Sequence, residues 1–206
     1  MFRDRREAGA ALGRELAHVG ARAPVVVGLA RGGVPVAREV ADVLGAPLDV
    51  LVVRKLGAPG REEFALGAIG EGVRVMNDRA VRALRVSEEQ IAAIEERERR
   101  ELERRIAMYR GGRAPVELRG RVVVVVDDGI ATGASAIAAC EVAHARGADR
   151  IVLAAPVAPA DWQPGPEAPV DELLTVIRSR ELSAIGRWYE DFSQVTDSEV
   201  IAALGR

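Results

Sequence analysis

Asp127 and Asp128 are the most informative residues of the sequence, because they stand directly after five consecutive valines. The valine run, 122–126, is typical of a strand that is buried on both faces, and helical spacing begins a few residues after the acids. A turn between a parallel strand and a helix presents backbone N–H groups and the positive end of the helix dipole. This segment therefore predicts an anion-binding turn with two carboxylates at its entrance.

The residues after the acids have the properties of a phosphate-binding turn. Two glycines let the backbone close around an anion, and the hydroxyls of Thr132 and Ser135 can donate hydrogen bonds to its oxygens. We therefore predict a 5-phosphate site formed by Gly129, Ile130, Ala131, Thr132, Gly133, Ala134 and Ser135. The turn contains neither Gly-Lys-Ser/Thr nor Gly-x-Gly-x-x-Gly, which excludes a Walker A loop and a dinucleotide fingerprint here.

The two carboxylates need a different partner, because they would repel a bare phosphate. A ribose diol can donate hydrogen bonds to Asp127 and Asp128, and a Mg²⁺ ion brought by a second phosphate group would be held by the same acids, directly or through water. The predicted ligand is a 5-phosphorylated ribose. The structural alternative, an acidic helix cap, explains one aspartate and leaves the other without a role.

Two other predicted strand ends carry groups suited to a second phosphate group. One turn offers bare backbone and a guanidinium capable of bidentate contact, and the other offers Lys55, the single lysine among 29 basic residues. We predict a pyrophosphate site formed by Ala30, Arg31, Gly32, Gly33, Arg54 and Lys55. The alternatives are an ordinary β-to-α turn with a solvent-exposed arginine, and a lysine retained by chance.

The elements that would position these residues form two strand–turn–helix–strand units, which predict a parallel sheet. The expected fold class is α/β, with a mostly parallel, twisted, Rossmann-like sheet flanked by helices in a single domain, 1–206. The predicted strands are 25–29, 48–53, 122–126, 151–155 and 170–177, and the predicted helices are 5–19, 34–44, 134–146 and a short one after residue 197.

Residues 56–119 do not fit a simple wound sheet and are predicted to form an insertion. It begins with a loop rich in glycine and proline at 56–66, continues with a hairpin at 67–76, and ends with a charged helix at 87–109 that opens with a Ser-x-x-Gln capping box. The helix is expected to be solvated or to act as a dimer strut. At the C-terminus, 178–206 is expected to form a small hood.

The valine run, the paired acids, three variable positions and Thr-Gly together resemble the signature of the type I phosphoribosyltransferases, which use phosphoribosyl pyrophosphate (PRPP) and Mg²⁺. In that family the acids contact the ribose hydroxyls, and the turn after them holds the 5-phosphate. Residues 30–33 resemble the family's pyrophosphate loop, and Arg54 and Lys55 resemble the basic strand end before its mobile catalytic loop. The resemblance is specific over 24–60 and 120–156.

The resemblance implies Mg²⁺-dependent transfer of the 5-phosphoribosyl group from PRPP to a nitrogenous, nucleobase-like acceptor in nucleotide salvage, with release of pyrophosphate. It also implies a homodimer. Asp127, Asp128, Lys55 and Arg31 are the expected catalytic residues, with Mg²⁺ at the two aspartates. A non-catalytic PRPP-sensing protein is the alternative function, because a fold does not dictate what its site does.

The loop predicted at 56–66 would act as a lid over this site. Its glycines supply hinges, and its charged tip is suited to closing on a polar ligand. Within it, Glu62 or Glu63 could assist proton transfer, but glutamates in surface loops are usually only solvated.

The acceptor is less well defined by the sequence. In the family's 6-oxopurine enzymes the third residue after the paired acids is usually an aspartate, whereas this sequence has Ala131, which disfavours hypoxanthine and guanine and resembles the adenine enzymes. Three of the seven aromatic residues, Trp188, Tyr189 and Phe192, are expected to stack on a flat acceptor. The alternative is that they form the core of a small hood.

The amino-acid composition argues against several other classes of protein and site for this chain, namely nucleic-acid-binding, membrane-spanning, disulfide-bonded and zinc-binding ones. With 31 acidic and 29 basic residues the net charge is −2, so a basic nucleic-acid-binding surface is not expected. The longest apolar stretches are far shorter than the roughly 20 residues needed to cross a bilayer, and a cytoplasmic protein is expected. A single cysteine, Cys140, excludes an internal disulfide, and His18 and His144 do not have zinc-ligand spacing.

Overall fold

A computed structural model of the chain describes residues 1–20, 22–182 and 184–205, without the side chains of residues 62 and 63. The strands are β1 (Val25–Leu29), β2 (Leu48–Leu51), β3 (Arg54–Ala58), β4 (Arg61–Gly70), β5 (Val73–Met76), β6 (Val122–Val126), β7 (Arg150–Pro159) and β8 (Glu172–Ser179). The helices are α1 (Arg5–Glu15), α2 (Ala17–Gly20), α3 (Gly33–Leu44), α4 (Asp78–Leu84), α5 (Glu88–Arg110), α6 (Ala134–Ala145) and α7 (Asp197–Ala203), with a 3₁₀ turn at Ile185–Trp188.

The core is a five-stranded parallel sheet in the order β2-β1-β6-β7-β8, which confirms the α/β class. The valines of β6 explain why the sheet is covered on both faces, since successive side chains of a strand point to opposite sides. Val123 and Val125 pack with α6, whereas Val124 and Val126 pack with α1 and α3. β1 and β6 are adjacent and in register from Val25 opposite Val123, so their carboxyl ends lie side by side.

The insertion is a three-stranded antiparallel sheet, β3-β4-β5, followed by α4 and α5. The predicted hairpin is present, with Gly67 paired to Met76 and Gly70 to Val73. The prediction of a loop at 56–66 is wrong, because most of these residues belong to β3 and β4, which pair with each other. The glycine and proline residues of this segment are typical of a loop, but here the chain turns between two strands at Gly60, where φ is +68°. The Leu56 side chain of β3 is buried.

The long helix α5 opens with the expected capping box, formed by Ser87 and Gln90. Only one of its faces is solvated. The other face packs on β3 and β4 through a buried apolar stripe with helical spacing. The stripe consists of Ile91, Ile94, Leu102 and Tyr109.

Several predicted boundaries shift. The N-terminal helix divides into α1 and α2, β7 runs four residues beyond its predicted end, and β8 lies two residues later than predicted. The short helix α4 was missed. No helix in the part of the chain that the structure describes has the length and apolar character needed to cross a membrane.

Candidate active site

The turns after β1 and β6 touch each other at the carboxyl edge of the sheet. A Cβ atom added to Gly33 would lie 2.4 Å from the carbonyl oxygen of Val126, and one added to Gly32 would lie 2.1 Å from Oδ2 of Asp128. Real Cβ atoms do not approach other atoms this closely, so the backbone contact requires glycine at position 33, whereas a side chain at position 32 would have to displace the carboxylate of Asp128. The structure thereby brings the predicted pyrophosphate turn against the predicted ribose-binding acids.

The two helices that begin at these turns are not capped by side chains. Gly32 and Gly133 are the N-caps of α3 and α6, and neither helix has a side-chain cap hydrogen bond. By contrast, α1, α4, α5 and α7 are capped by the side chains of Asp4, Asn77, Ser87 and Thr196. The first amides of a helix have no partner within the helix, so α3 and α6 present positive dipole ends and donors to a ligand. The turns use these donors in part, because the N–H of Val34 donates to the carbonyl of Arg31 at 3.1 Å and that of Ala134 to Oγ1 of Thr132 at 3.4 Å.

The predicted phosphate turn has a buried residue, Ile130, and an exposed part that contains Ala131, Thr132 and Ser135. The N–H of Ile130 donates to the carbonyl of Val157 at 2.8 Å, and its side chain is buried. The prediction that Ile130 binds phosphate is therefore wrong, because both its amide and its side chain are used by the fold. Ala131, Thr132 and Ser135 are exposed and face solvent at the start of α6.

The two aspartates are not equivalent. Oδ1 of Asp127 accepts the N–H of Asp128 at 2.9 Å, whereas Oδ2 of Asp128 accepts Nε of Arg5 at 2.9 Å. Burial raises the pKa of both carboxyl groups, and the neighbouring charge of Asp128 raises that of Asp127 further. Arg5 opposes the shift at Asp128. The ionised forms of both carboxyl groups are therefore disfavoured here, and a bound cation would favour them.

Arg5 was missed by sequence reasoning. It lies at the start of α1, 123 residues before Asp128, and no local pattern connects them. Its NH1 also donates to the carbonyl of Ser193 at 2.8 Å, and its guanidinium lies 4.0 Å from the centre of the Phe192 ring. Arg5 therefore joins the acid pair to the C-terminal hood.

The basic residues of the predicted pyrophosphate site have different surroundings. Arg54 donates to Oε2 of Glu98 through both Nε and NH2, at 2.9 and 2.6 Å, so its guanidinium is already paired. Arg31 follows a cis peptide bond from Ala30 and lies 3.8 Å from Asp197. Lys55 lines a cavity of about 360 Å³ together with Ala30 and Arg54.

The aromatic residues of the hood are mostly packed against each other. Tyr189 is 5% exposed, with its ring centre 5.7 Å from that of Phe2 and 4.9 Å from that of Phe192. Its hydroxyl donates to the carbonyl of Asp128 at 2.7 Å. Tyr189 and Phe192 therefore belong to the core of the hood, which was the alternative to stacking on an acceptor. Trp188 is half-buried and lines a second cavity together with Met1.

A second residue that sequence reasoning missed is Trp162, just after β7. Its indole N–H donates to the carbonyl of Thr132 at 3.1 Å, and its ring packs on Gly133, where φ is +79°. A Cβ added to Gly133 would lie 2.2 Å from the ring. Trp162 therefore holds the exposed part of the phosphate turn in place.

The described residues contain no group of three or more His, Cys, Asp or Glu side chains that could hold a metal ion. Asp127 and Asp128 could hold Mg²⁺ only together with oxygen atoms from a ligand or water, which is how proteins usually bind this ion. The side chains of Glu62 and Glu63, named as candidates for proton transfer, lie outside the described residues.

Known proteins resemble this chain over its whole length. Two sequences from Mycobacterium tuberculosis strains CDC 1551 and H37Rv, each named "Putative phosphoribosyl transferase", are 50% identical over 207 residues. The match includes all of this chain but only 47% of the length of each relative. The crystal structure of TT1426 from Thermus thermophilus is 45% identical, with a TM-score of 0.88 over 99% of this chain and 97% of that one.

The family model described as "Phosphoribosyl transferase domain" matches residues 6–187 and so includes both glycine turns, the acid pair and the cavity. The resemblance stated from the motif is thereby confirmed. This chain belongs to the phosphoribosyl transferase domain family.

Proposed function

We propose that this chain transfers the 5-phosphoribosyl group of PRPP to a nitrogenous acceptor and releases pyrophosphate. The observation that carries the proposal is the contact between two glycine turns, each opening a helix without a side-chain cap, with an acid pair between them. A ligand that suits this contact has an anionic group at each end and hydroxyl donors in the middle. PRPP has that distribution of charge.

In the proposed complex, the 5-phosphate binds at the start of α6. The first amides of α6 and the hydroxyls of Thr132 and Ser135 supply donors to its oxygens. Oγ1 of Thr132 also accepts the N–H of Ala134 at 3.4 Å, which leaves its own proton for the phosphate. The ribose hydroxyls donate to Asp127 and Asp128, and Asp128 shares its carboxylate with Arg5. The pyrophosphate group extends toward residues 30–33 and Lys55.

Mg²⁺ suits the acid pair, because two partly buried carboxylates with raised pKa values lack sufficient positive charge nearby. Asp127 and Asp128 would hold the ion, directly or through water. When bound, Mg²⁺ supplies charge neutralisation to the pyrophosphate leaving group.

In the reaction, the bond between the anomeric carbon and the pyrophosphate oxygen breaks, and pyrophosphate leaves with the bonding electrons. A nitrogen of the acceptor forms the new bond to that carbon, and its proton passes to solvent water. The paired carboxylates lie where positive charge develops on the ribose, and the first amides of α3 with Lys55 lie where negative charge develops. The chain therefore acts mainly through fixed charges and donors.

The proposed acceptor is a nucleobase-like compound of salvage metabolism. Ala131 is exposed next to the ribose-binding acids, so it would supply neither a proton acceptor nor a donor to the base. This favours acceptors other than hypoxanthine and guanine, as the family resemblance also implies.

The test is to incubate the full chain with PRPP, Mg²⁺ and a panel of purines, pyrimidines and simple amines, and to measure pyrophosphate release. Release with one acceptor class, abolished by EDTA, is the expected result. Tight PRPP binding without release across the panel would support the alternative of a PRPP sensor. Absence of PRPP binding would contradict both.

A further inference from the structure

The cavity beside the pyrophosphate turn has a wall that comes from the insertion. Besides Ala30, Arg54 and Lys55, it is lined by Arg97, Glu98 and Arg105 of α5. Ser135, at the start of α6, lines the same cavity. The cavity is thus continuous with the proposed 5-phosphate site and is closed by a helix whose sequence is typical of a solvated surface.

α5 is held firmly against this cavity. Its buried stripe packs on β3 and β4, and Glu98 binds the guanidinium of Arg54 on β3. At the end of the helix, Arg110 is 3% exposed and donates to both carboxylate oxygens of Asp49, at 2.8 and 2.7 Å. A helix fixed at its middle and at its end can present side chains to a ligand at defined positions.

The charges around the cavity favour a polyanion. Among the described residues that line it, four are cationic and one is anionic. Glu98 pairs with both Arg54 and Arg97, and Glu101, which does not line the cavity, pairs with Arg105. The lining still carries an excess of positive charge, part of which comes from the arginines of α5. A pyrophosphate group needs several cationic partners, and the strand ends by themselves supply fewer than the sequence suggested.

We infer that α5 forms part of the pyrophosphate subsite, with Arg105 as its principal phosphate-binding side chain and Arg97 as a more exposed partner. The inference rests on the proposed function. Arg105 is favoured because its side chain is 24% exposed and lines the cavity, whereas that of Arg97 is 65% exposed. Glu98 then acts as a positioning residue that fixes Arg54.

α5 also supplies a matched control. Arg104 and Arg105 are neighbours that both donate to Glu101, through Nε at 2.8 and 2.6 Å. Arg104 is 56% exposed and does not line the cavity. Replacing either arginine by glutamine removes the same charge next to the same glutamate, with the loss of two hydrogen bonds to Glu101 at Arg104 and of one at Arg105. Only Arg105 has access to the cavity, so a larger loss of pyrophosphate affinity in its variant cannot be attributed to the contact with Glu101.

The experiment is isothermal titration calorimetry of the full chain with inorganic pyrophosphate and, separately, ribose 5-phosphate, both with Mg²⁺. Arg105→Gln should weaken pyrophosphate binding about tenfold and leave ribose 5-phosphate binding within about twofold, whereas Arg104→Gln should change neither. Arg105→Lys, which keeps the charge but loses the planar donor pair, should fall between wild type and Arg105→Gln.

Equal pyrophosphate affinity in Arg104→Gln and Arg105→Gln would overturn the inference. It would also be overturned if the wild-type chain bound ribose 5-phosphate but not pyrophosphate, although the proposed 5-phosphate site would then stand. Failure to bind either ligand would overturn the proposed function together with this inference. Thermal unfolding of the three variants shows whether the fold is intact in each case.

Discussion

The turns after β1 and β6 have the same backbone design but opposite charge. Each follows a buried parallel strand, contains a glycine against which another part of the chain packs closely, and opens a helix without a side-chain cap. The close atoms belong to the backbone of Val126 at Gly33 and to the ring of Trp162 at Gly133. The turn after β6 contains two carboxylates, whereas the turn after β1 lies beside Lys55 and the arginines of α5. In the proposed complex, the shared backbone binds anions, and the added side chains determine which part of the ligand lies at each turn.

The comparison separates the contributions of backbone and side chains. Free amides attract any phosphate, so the two turns alone would not orient a ligand that is anionic at both ends. Acids at one turn and cations at the other remove that ambiguity, because a metal-bound diol is attracted to the first and a diphosphate to the second.

The largest expected effect tests the acidic side of this comparison. Changing Asp127 and Asp128 together to Asn should weaken Mg²⁺-dependent PRPP binding by about a hundredfold or more, since a hydrogen bond to a charged group contributes ~1.5–3 kcal/mol. Calorimetry with PRPP measures it, and Asp149→Asn, an exposed carboxylate before β7, is the control. Unchanged affinity in the double variant would remove the proposed ribose contact.

A second change tests whether the two turns must touch. Gly33→Ala places a Cβ 2.4 Å from the carbonyl oxygen of Val126, so the turns must separate. We expect the free energy of unfolding to fall by about 1–3 kcal/mol, with loss of affinity for both ends of the ligand. Urea denaturation measures the first effect. Gly165→Ala, which has nothing within 4 Å of its added Cβ, should be neutral.

The basic side of the comparison is tested at Lys55. Lys55→Ala should weaken pyrophosphate binding about tenfold, equivalent to about 1.4 kcal/mol, and change ribose 5-phosphate binding little. Thr132→Val should have the opposite pattern, because its hydroxyl lies at the other turn. If both variants weakened both ligands equally, the two turns would not divide the ligand as proposed.

A smaller effect is expected at the contact that holds the phosphate turn. Trp162→Phe removes the hydrogen bond to the carbonyl of Thr132 but keeps an aromatic ring against Gly133. Because a neutral hydrogen bond contributes ~1 kcal/mol, ribose 5-phosphate affinity should fall by about threefold to fivefold, with pyrophosphate affinity unchanged. Trp188→Phe removes an indole elsewhere and is the matched control.

The smallest effect concerns pH. Because the pKa of Asp127 is raised in the folded chain, the folded state holds a proton that the unfolded chain releases as pH rises above the usual carboxyl range. Wild-type stability should therefore decline, relative to Asp127→Asn, as pH rises from about 5 to neutral in EDTA without ligand. Thermal unfolding across that range measures the difference, and parallel curves for the two proteins would contradict it.

The sequence predicted those features that depend on short windows of chain. Alternate valines at 122–126 encode a strand covered on both faces, and the Ser87 capping box marks the start of α5 to within one residue. The acid pair and its glycine turn were also evident, because their spacing reflects a local strand–turn–helix geometry. The glycine and proline residues of 56–66 led to the prediction of a loop where β3 and β4 pair. The alternation of buried and exposed side chains in these strands is too short to indicate strands in its place.

Tertiary structure alone decided which partners these local features meet. Arg5 reaches Asp128 across 123 residues, Glu98 binds Arg54 across 44, and Trp162 covers a turn 30 residues before it. Each pairing depends on how whole elements pack, and packing sums many weak contacts that no single segment contains. The sequence therefore determined the sheet and its two glycine turns, whereas the packing of α1, α5 and the hood determined which charges surround them.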